Sequence, residues 1–357
     1  MPDSELMPIG VFARRSGLTP SALRFYADSA LLVPAAVDPV TGYRYYSAAQ
    51  VAPATALRRL REMAMPLPAV EAVLAAGSDE ASRLVDEHVA GVLQEAAAAR
   101  RTAAVVKASL AGVAALPIAV LKGPVLADAV EQVLTATVRE RDMPVLAGVH
   151  VEVTREAVSL TATDRYRLST RTLVPAEPPL RTWAGTVDGD ELRAAAAAIR
   201  RGATVRMEAM PHGIRLRVAP LEDQYCRLLI EEEFPDHRQM LAALGEVTTR
   251  ATVSKDLLLR ALEEHPGDPI GLHVTDCSLS LLPTRDGDVE HRLPATGRGQ
   301  ALRIWFELTT LYPAVSTAIG PDVMLDLRGD AQPVTIRSAD RGDLTTLAMP
   351  VKPDHST

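Results

Sequence analysis

The sequence predicts a multidomain protein: an all-α head of short helices with one hairpin, a long coiled-coil helix, then two α+β domains with antiparallel sheets. Three observations predict it. Residues 8–75 break into short segments at Gly and Pro. Residues 79–114 hold no proline and an unbroken heptad seam. From 117 onward a unit of helix, strand, turn and strand recurs four times. The 357 residues give room for two or three domains.

The head is taken in chain order. Pro8 to Arg15 forms a short amphipathic helix, and Ser16-Gly17-Leu18 a tight turn. Thr19 can cap a second helix with Pro20 at its first position, where a missing N–H costs nothing. That helix runs through Ser21, Leu23, Arg24, Phe25 and Tyr26. Residues 34–47 contain Pro34 and Pro39, then Thr41-Gly42, then Tyr43-Arg44-Tyr45-Tyr46, turn residues followed by aromatics that predict a hairpin. Helices over 47–63 and 67–76 follow, split at Pro66 and Pro68.

Between 79 and 114 the apolar positions Val85, Val89, Val92, Ala96, Ala99, Ala103, Val106, Leu110 and Val113 alternate in steps of four and three. This is the a/d seam of a coiled coil, roughly 40 Å long at 1.5 Å per residue. A long helix packed inside one domain would show similar spacing, but the small central alanines suit close approach of a second helix. A dimerisation contact is therefore expected along Val85–Leu110.

The four repeated units have helices at 124–140, 188–201, 254–264 and 307–319. Their strand pairs fall near 145–153 and 157–163, 203–209 and 213–219, 269–274 and 278–283, and 322–328 and 333–338. Alternation is clear in Val149–Val153 and Ile214–Val218. Repetition on this scale points to duplicated α+β modules. The expected division is 1–78 for the head, 79–115 for the dimerisation helix, and 117–245 and 246–357 for two modules.

Composition is ordinary for globular protein, with 47% hydrophobic and 23% charged residues. The net charge of −7 divides unevenly: residues 1–75 hold seven Arg and six Asp or Glu, so they carry +1 and the remainder −8. Any nucleic-acid contact must come from a few placed arginines. No apolar run is long enough for a membrane span, and MPDSELMPIG lacks the features of a secretion signal. Two cysteines, Cys226 and Cys277, fall in predicted strands and make neither a disulfide framework nor a metal site. A reducing, cytoplasmic setting is the simple reading. With no phosphate-binding glycine motif, nucleophile elbow or metal-ligand spacing, neither an enzyme nor a metal or cofactor is expected.

Ile9-Gly10-Val11-Phe12-Ala13, Gly17-Leu18-Thr19, Leu23-Arg24-Phe25-Tyr26 and Gly42-Tyr43-Arg44-Tyr45-Tyr46-Ser47 together resemble the MerR family of regulators. The resemblance implies a winged helix-turn-helix binding promoter DNA as a homodimer through an antiparallel coiled coil, distorting the duplex so that RNA polymerase engages. A recognition helix offers its N-terminal residues to base edges in the major groove. Here these are Thr19 and Ser21, with Ala22 beside them, and Arg24 and Arg44 face phosphate. Tyr26, Tyr43 and Tyr45 can donate hydroxyls to phosphate. Phe25 is expected in the core, as is one of Tyr45 and Tyr46. Arg58, Arg59 and Arg61 form either a solvated face or a further DNA contact.

A second resemblance covers roughly 117–353. Ala162-Thr163-Asp164-Arg165-Tyr166-Arg167-Leu168, Phe234-Pro235-Asp236-His237-Arg238 and Met349-Pro350-Val351 resemble, in order and spacing, motifs in the second and third domains of the bacterial DNA polymerase III sliding clamp. In that family the motifs converge on an apolar pocket for short peptides, which some antibiotics also enter. Carried over, the pocket comprises Thr163, Arg165, Tyr166, Arg167, Leu168, Pro235, Met240, Met349, Pro350 and Val351. Arg165 replaces a small residue and could narrow the mouth, and Gln239 stands where a basic residue is common. The first clamp domain is replaced by the head and the body is acidic, so a DNA-encircling ring is not expected. The combination implies a cytoplasmic, nucleoid-associated regulator whose body senses a small molecule or peptide. The alternative is an interaction protein whose body docks replication proteins or a true clamp while the head tethers it to DNA.

Overall fold

A computed structural model describes residues 6–110, 115–230, 232–283 and 290–352; within the long helix the side chains at 97, 100, 101, 104, 105 and 107–110 are not described. The chain divides into two compact units, Met1–Arg100 and Arg101–Thr357.

The first unit begins with strand β1 (Leu6–Pro8), then helices α1 (Ile9–Ser16) and α2 (Pro20–Asp28). The turn between the helices needs glycine: Gly17 has φ +74° and its N–H donates to the Ala13 carbonyl at 2.9 Å, ending α1 in the left-handed conformation. Thr19 caps α2, its Oγ1 accepting from the Ala22 N–H at 3.1 Å. The predicted hairpin is β2 (Ala36–Val37) and β3 (Arg44–Ser47). It gains a third strand that the pattern did not announce, because β1 pairs with β3 through Leu6↔Ser47, Met7↔Tyr46 and Pro8↔Tyr45. Helices α3 (Val51–Glu62) and α4 (Leu67–Ala75) follow, then α5 (Ser78–Leu110); 111–114, the end of the predicted long helix, lie outside the described residues. Phe12, Leu23, Tyr46, Leu57 and Met65 form the center of the core. Tyr46 is the core tyrosine of the hairpin: its ring stacks on Phe12 with centroids 4.5 Å apart, and its hydroxyl donates to the Leu23 carbonyl at 3.3 Å.

The second unit contains the four repeats, each with the further strand expected after the helix–strand–strand pattern and one more before its helix, which the pattern did not announce. They run β4 (Leu116–Lys122), α6 (Gly123–Leu134), β5 (Gly148–Val153), β6 (Val158–Thr163), β7 (Arg167–Leu173); β8 (Trp183–Asp188), α7 (Gly189–Arg201), β9 (Thr204–Met210), β10 (Gly213–Arg217), β11 (Gln224–Arg227). After a short helix α8 (His237–Ala242) come β12 (Thr249–Ser254), α9 (Lys255–Glu264), β13 (Ile270–Val274), β14 (Ser278–Leu281), β15 (His291–Gly299); and β16 (Leu302–Phe306), α10 (Leu308–Ser316), β17 (Asp322–Leu327), β18 (Val334–Ser338), β19 (Leu344–Ala348).

Helix α6 stops at Leu134, not 140. The Thr137 hydroxyl turns back to the Leu134 carbonyl at 2.8 Å, and the Val138 N–H donates to Leu146 instead of continuing the helix. Two apolar cores lie within this unit. One is built from Ile118 to Cys226 and the other from Ala251 to Ala348. They are joined by antiparallel pairing of β7 with β19, Leu344↔Arg171 through Ala348↔Arg167. The result is a sheet ordered β16-β13-β14-β15-β12-β17-β18-β19-β7-β6-β5-β8, beside a smaller one, β11-β10-β9-β4. Cys226 is buried in β11, where desolvation pushes its thiol up and away from reactivity. Cys277 is not in a strand as expected: it lies exposed in the bend before β14.

Candidate functional sites

Helix α2 turns two residues inward and leaves the rest outside. Leu23 and Tyr26, three apart, share the buried face. Tyr26 is 8% exposed and belongs to the head's core, which corrects its expected role as an outward phosphate donor; Phe25, expected inside, is 55% exposed. The helical period forces this exchange: a residue one position from Tyr26 is rotated by about 100°. Thr19, Ser21 and Arg24 are exposed as expected, although the Thr19 oxygen already accepts one hydrogen bond as a cap.

In the hairpin, Tyr43 is exposed and Tyr45 half-buried, their rings 5.5 Å apart. The tip is held by Asp38, whose Oδ1 accepts from the Val40 and Thr41 N–H groups at 2.8 and 2.9 Å; these bonds hold its carboxyl below the usual range. Arg44 is not a free cation: its Nη2 lies 2.6 Å from Asp28 Oδ1, and Nη1 reaches the Arg24 carbonyl at 3.5 Å. Of the α3 arginines, Arg58 pairs with Glu62 and Arg61 donates to the Met65 carbonyl, which leaves Arg59 exposed and without a partner among the described residues.

Along α5 the seam is open. Val89, Val92 and Val106 are 41, 45 and 49% exposed, and Ala96, Ala99 and Ala103 are exposed too. Val85 differs: it packs in part against the head's core, so the seam's first position serves the head. The side chain of Leu110 lies outside the described residues.

In the second unit the structure brings two of the three pocket motifs together. Thr163 pairs with Leu168 across β6–β7, and Leu168 with Leu347 across β7–β19. The Met349 N–H donates to the Tyr166 carbonyl at 2.8 Å, and the Val351 N–H to the Trp305 carbonyl at 2.8 Å. The turn 164–167 is tightly determined: Asp164 Oδ1 accepts from the N–H of Tyr166 and Arg167, and Oδ2 from the Arg167 guanidinium at 2.9 and 2.7 Å. Arg165 adopts φ +75°, a left-handed conformation that strains a residue with a side chain, and its guanidinium pairs with Glu140. Tyr166, Met240 and Met349 remain exposed.

The third motif sits on β5. Phe234 stacks on His150 with centroids 4.9 Å apart, and His237 Nε2 and Arg238 Nη2 approach the two Glu152 oxygens at 3.3 and 2.7 Å. The Pro235 carbonyl accepts from the His237 N–H at 2.7 Å, and Met240 follows on α8. Burial holds the His150 imidazole below its ordinary pKa. The sequence announced the 234–238 segment but not its partners His150 and Glu152, nor the Arg44–Asp28 pair, because each joins residues distant in sequence. Among the described residues no group of three His, Cys, Asp or Glu could hold a metal, and no helix is long and apolar enough to cross a membrane.

Comparison with known proteins agrees with this division. Residues 7–77 match the MerR HTH family regulatory protein family, and residues 120–236 match the DNA polymerase III beta subunit, central domain. Similar curated proteins include the beta sliding clamp of Synechococcus elongatus, 24% identical over 65% of this chain and 64% of that one. Another is the beta sliding clamp homolog GriR of Streptomyces muensis, 29% identical over 55% of this chain and 54% of that one. The chain thus spans less than two thirds of the length of these relatives. Among solved structures, the DNA polymerase sliding clamp from Pseudomonas aeruginosa matches with a TM-score of 0.61 at 18% identity, covering 67% of this chain and 68% of that one. The sliding clamp from Bacillus subtilis matches with a TM-score of 0.59 at 19% identity, covering 66 and 64%.

Proposed function

We propose, from a chain that joins an N-terminal MerR HTH domain to DNA polymerase III beta-like sliding clamp domains, that this protein is a homodimeric transcription regulator. It binds and distorts promoter DNA for RNA polymerase, and its clamp-like body senses a small molecule or peptide. We take 1–78, 79–115, 117–245 and 246–357 as its working parts.

The observation that carries the reading is the combination of α2 and the wing hairpin in one small unit. Leu23, Tyr26 and Tyr46 hold the two elements from within, while Thr19, Ser21, Arg24 and Tyr43 stay exposed. The open α5 seam supports pairing of two such heads, which doubles the phosphate contacts and suits a palindromic site. Supporting a sensing rather than a DNA-encircling body, several cations on and beside its helices are neutralised. Arg200 of α7 pairs with Asp128 and Glu131 of α6, and both Arg193 of α7 and Arg139, in the segment after α6, pair with Asp190.

A ligand shifts such a protein between states only by binding one state better than the other. The test is selection of duplexes from a random library by the full-length protein, followed by thermal shift against clamp-binding peptides and clamp-directed antibiotics. The proposal expects an enriched site and a saturable stabilisation, about 2.7 kcal/mol at a hundred times Kd. An enriched site with no shift by any of these ligands, but capture of replication proteins by the body, would replace sensing with docking. No enriched site would remove the regulator reading.

A further inference from the structure

Asp28 presents a physical puzzle. It is the last residue of α2, at the negative end of the helix dipole, where a carboxylate is disfavoured, and α2 has no basic residue in its last turn. It is also the acidic side chain that the recognition helix carries next to the wing. A carboxylate beside a DNA-binding surface repels phosphate unless it does something else. Its partner is Arg44, the first residue of β3, at 2.6 Å. The same guanidinium touches the Arg24 carbonyl of α2 at 3.5 Å. The Arg44 side chain is mostly covered while Asp28 stays open to solvent. A guanidinium has five N–H donors in a fixed plane. Two of them are engaged by α2, and the others remain for a further acceptor.

We infer that Asp28 is a positioning residue: it locks the Arg44 guanidinium against the end of the recognition helix, so that the remaining N–H groups meet a DNA phosphate at a fixed distance from the bases that α2 contacts. Without Asp28 the arginine is a flexible cation whose ordering must occur on binding. The pair also ties the wing to the helix, so both elements approach the duplex as one body. This inference rests on the DNA-binding reading and assigns a role within it to a residue that does not itself touch DNA.

The experiment uses the full-length protein and a duplex that the wild type enriches from a random library, with affinity read by fluorescence anisotropy from low to high salt. Arg44→Ala is expected to weaken binding about tenfold at physiological salt and to lower the salt slope by about one for each head, as loss of a phosphate contact does. Asp28→Ala is expected to weaken binding by a similar factor although it removes a negative charge, and the double variant to bind no worse than Arg44→Ala alone. The exchange Asp28→Arg with Arg44→Asp separates positioning from simple tethering: it restores thermal stability but not affinity. Asp28→Glu recovers part of the binding. Unchanged or tighter binding by Asp28→Ala overturns the inference, as does full affinity in the exchanged protein. A wild type that enriches no duplex refutes the DNA-binding reading itself, whereas an enriching wild type with an indifferent Arg44→Ala refutes only the role assigned here.

Discussion

Replacing Val92 by glutamate tests whether the open seam of α5 is a dimer contact. Val92 keeps 45% of its surface exposed in the single chain. Full burial of a valine contributes about 1.5–3 kcal/mol, so covering what remains is worth about 1 kcal/mol at each of two symmetric copies. A carboxylate at the same place adds a desolvation cost of at least 1–3 kcal/mol per copy. Together the two copies should weaken the dimer by about 4–8 kcal/mol, which at 1.4 kcal/mol per tenfold is a thousandfold or more in the dimer Kd. Glutamate is a good helix former, so α5 itself should persist. Sedimentation velocity of the full chain over a concentration series reads the effect directly. Leu93→Glu is the control: Leu93 is 66% exposed, more than Val89, Val92 or Val106, yet the heptad places it beside the seam and not on it. If Val92→Glu left the dimer intact while Leu93→Glu dissolved it, the heptad phase deduced from the sequence would be wrong.

Three further outcomes are expected. Ala64 follows α3 with φ +59°, so Ala64→Gly should stabilise the head by about 0.5–1 kcal/mol, the left-handed strain of alanine exceeding the entropy cost of glycine; thermal denaturation with an unchanged or lower midpoint would contradict this. Asp326 is 2% exposed and accepts from both Arg250 and Arg337, whose side chains are partly open to solvent, so Asp326→Ala should cost about 1.5–3 kcal/mol in urea unfolding by removing their shared acceptor, and Asp326→Asn should cost less. Burial depresses the folded-state pKa of His150, so its neutral form contributes stability that is full above its unfolded pKa of about 6.5 and is lost as pH falls through the folded value; His150→Gln should make unfolding of the body less acid-sensitive over that window, measured as midpoint against pH.

Much of this architecture was legible because periodicity survives without tertiary information. The four repeated helices and their strand pairs stand within a few residues of their expected places, the early end of α6 apart, since each buries one apolar face and the alternation records which. The long helix α5 and the Thr19-Pro20 helix start were legible for the same local reason. What escaped were features fixed by partners. β1 is three residues long and is a strand only because β3 lies beside it. Phe25 and Tyr26 are both aromatic, and composition alone cannot say which turns inward; that depends on the phase set by Leu23 and on the space left beside it. Cys277 sits between two strands, where a strand boundary and a bend look alike in sequence.

The pocket motifs show how a surface made of several segments depends on pairing that no local pattern encodes. Each motif is recognisable by itself, yet 163–168 meets 349–351 only because β7 and β19 add edge to edge, so that one sheet runs from the first apolar core to the second. That junction also places the strained Arg165 on the turn directly beside the chain's last described strand end, with Tyr166 accepting from Met349. A change that loosens β19 would therefore separate these two motifs before it unfolded either core. The same logic holds in the head, where Arg44 of β3 meets Asp28 at the end of α2 across 16 residues of intervening chain. In both units the candidate residues were visible in the sequence, whereas their partners became visible only when distant strands and helices were brought side by side.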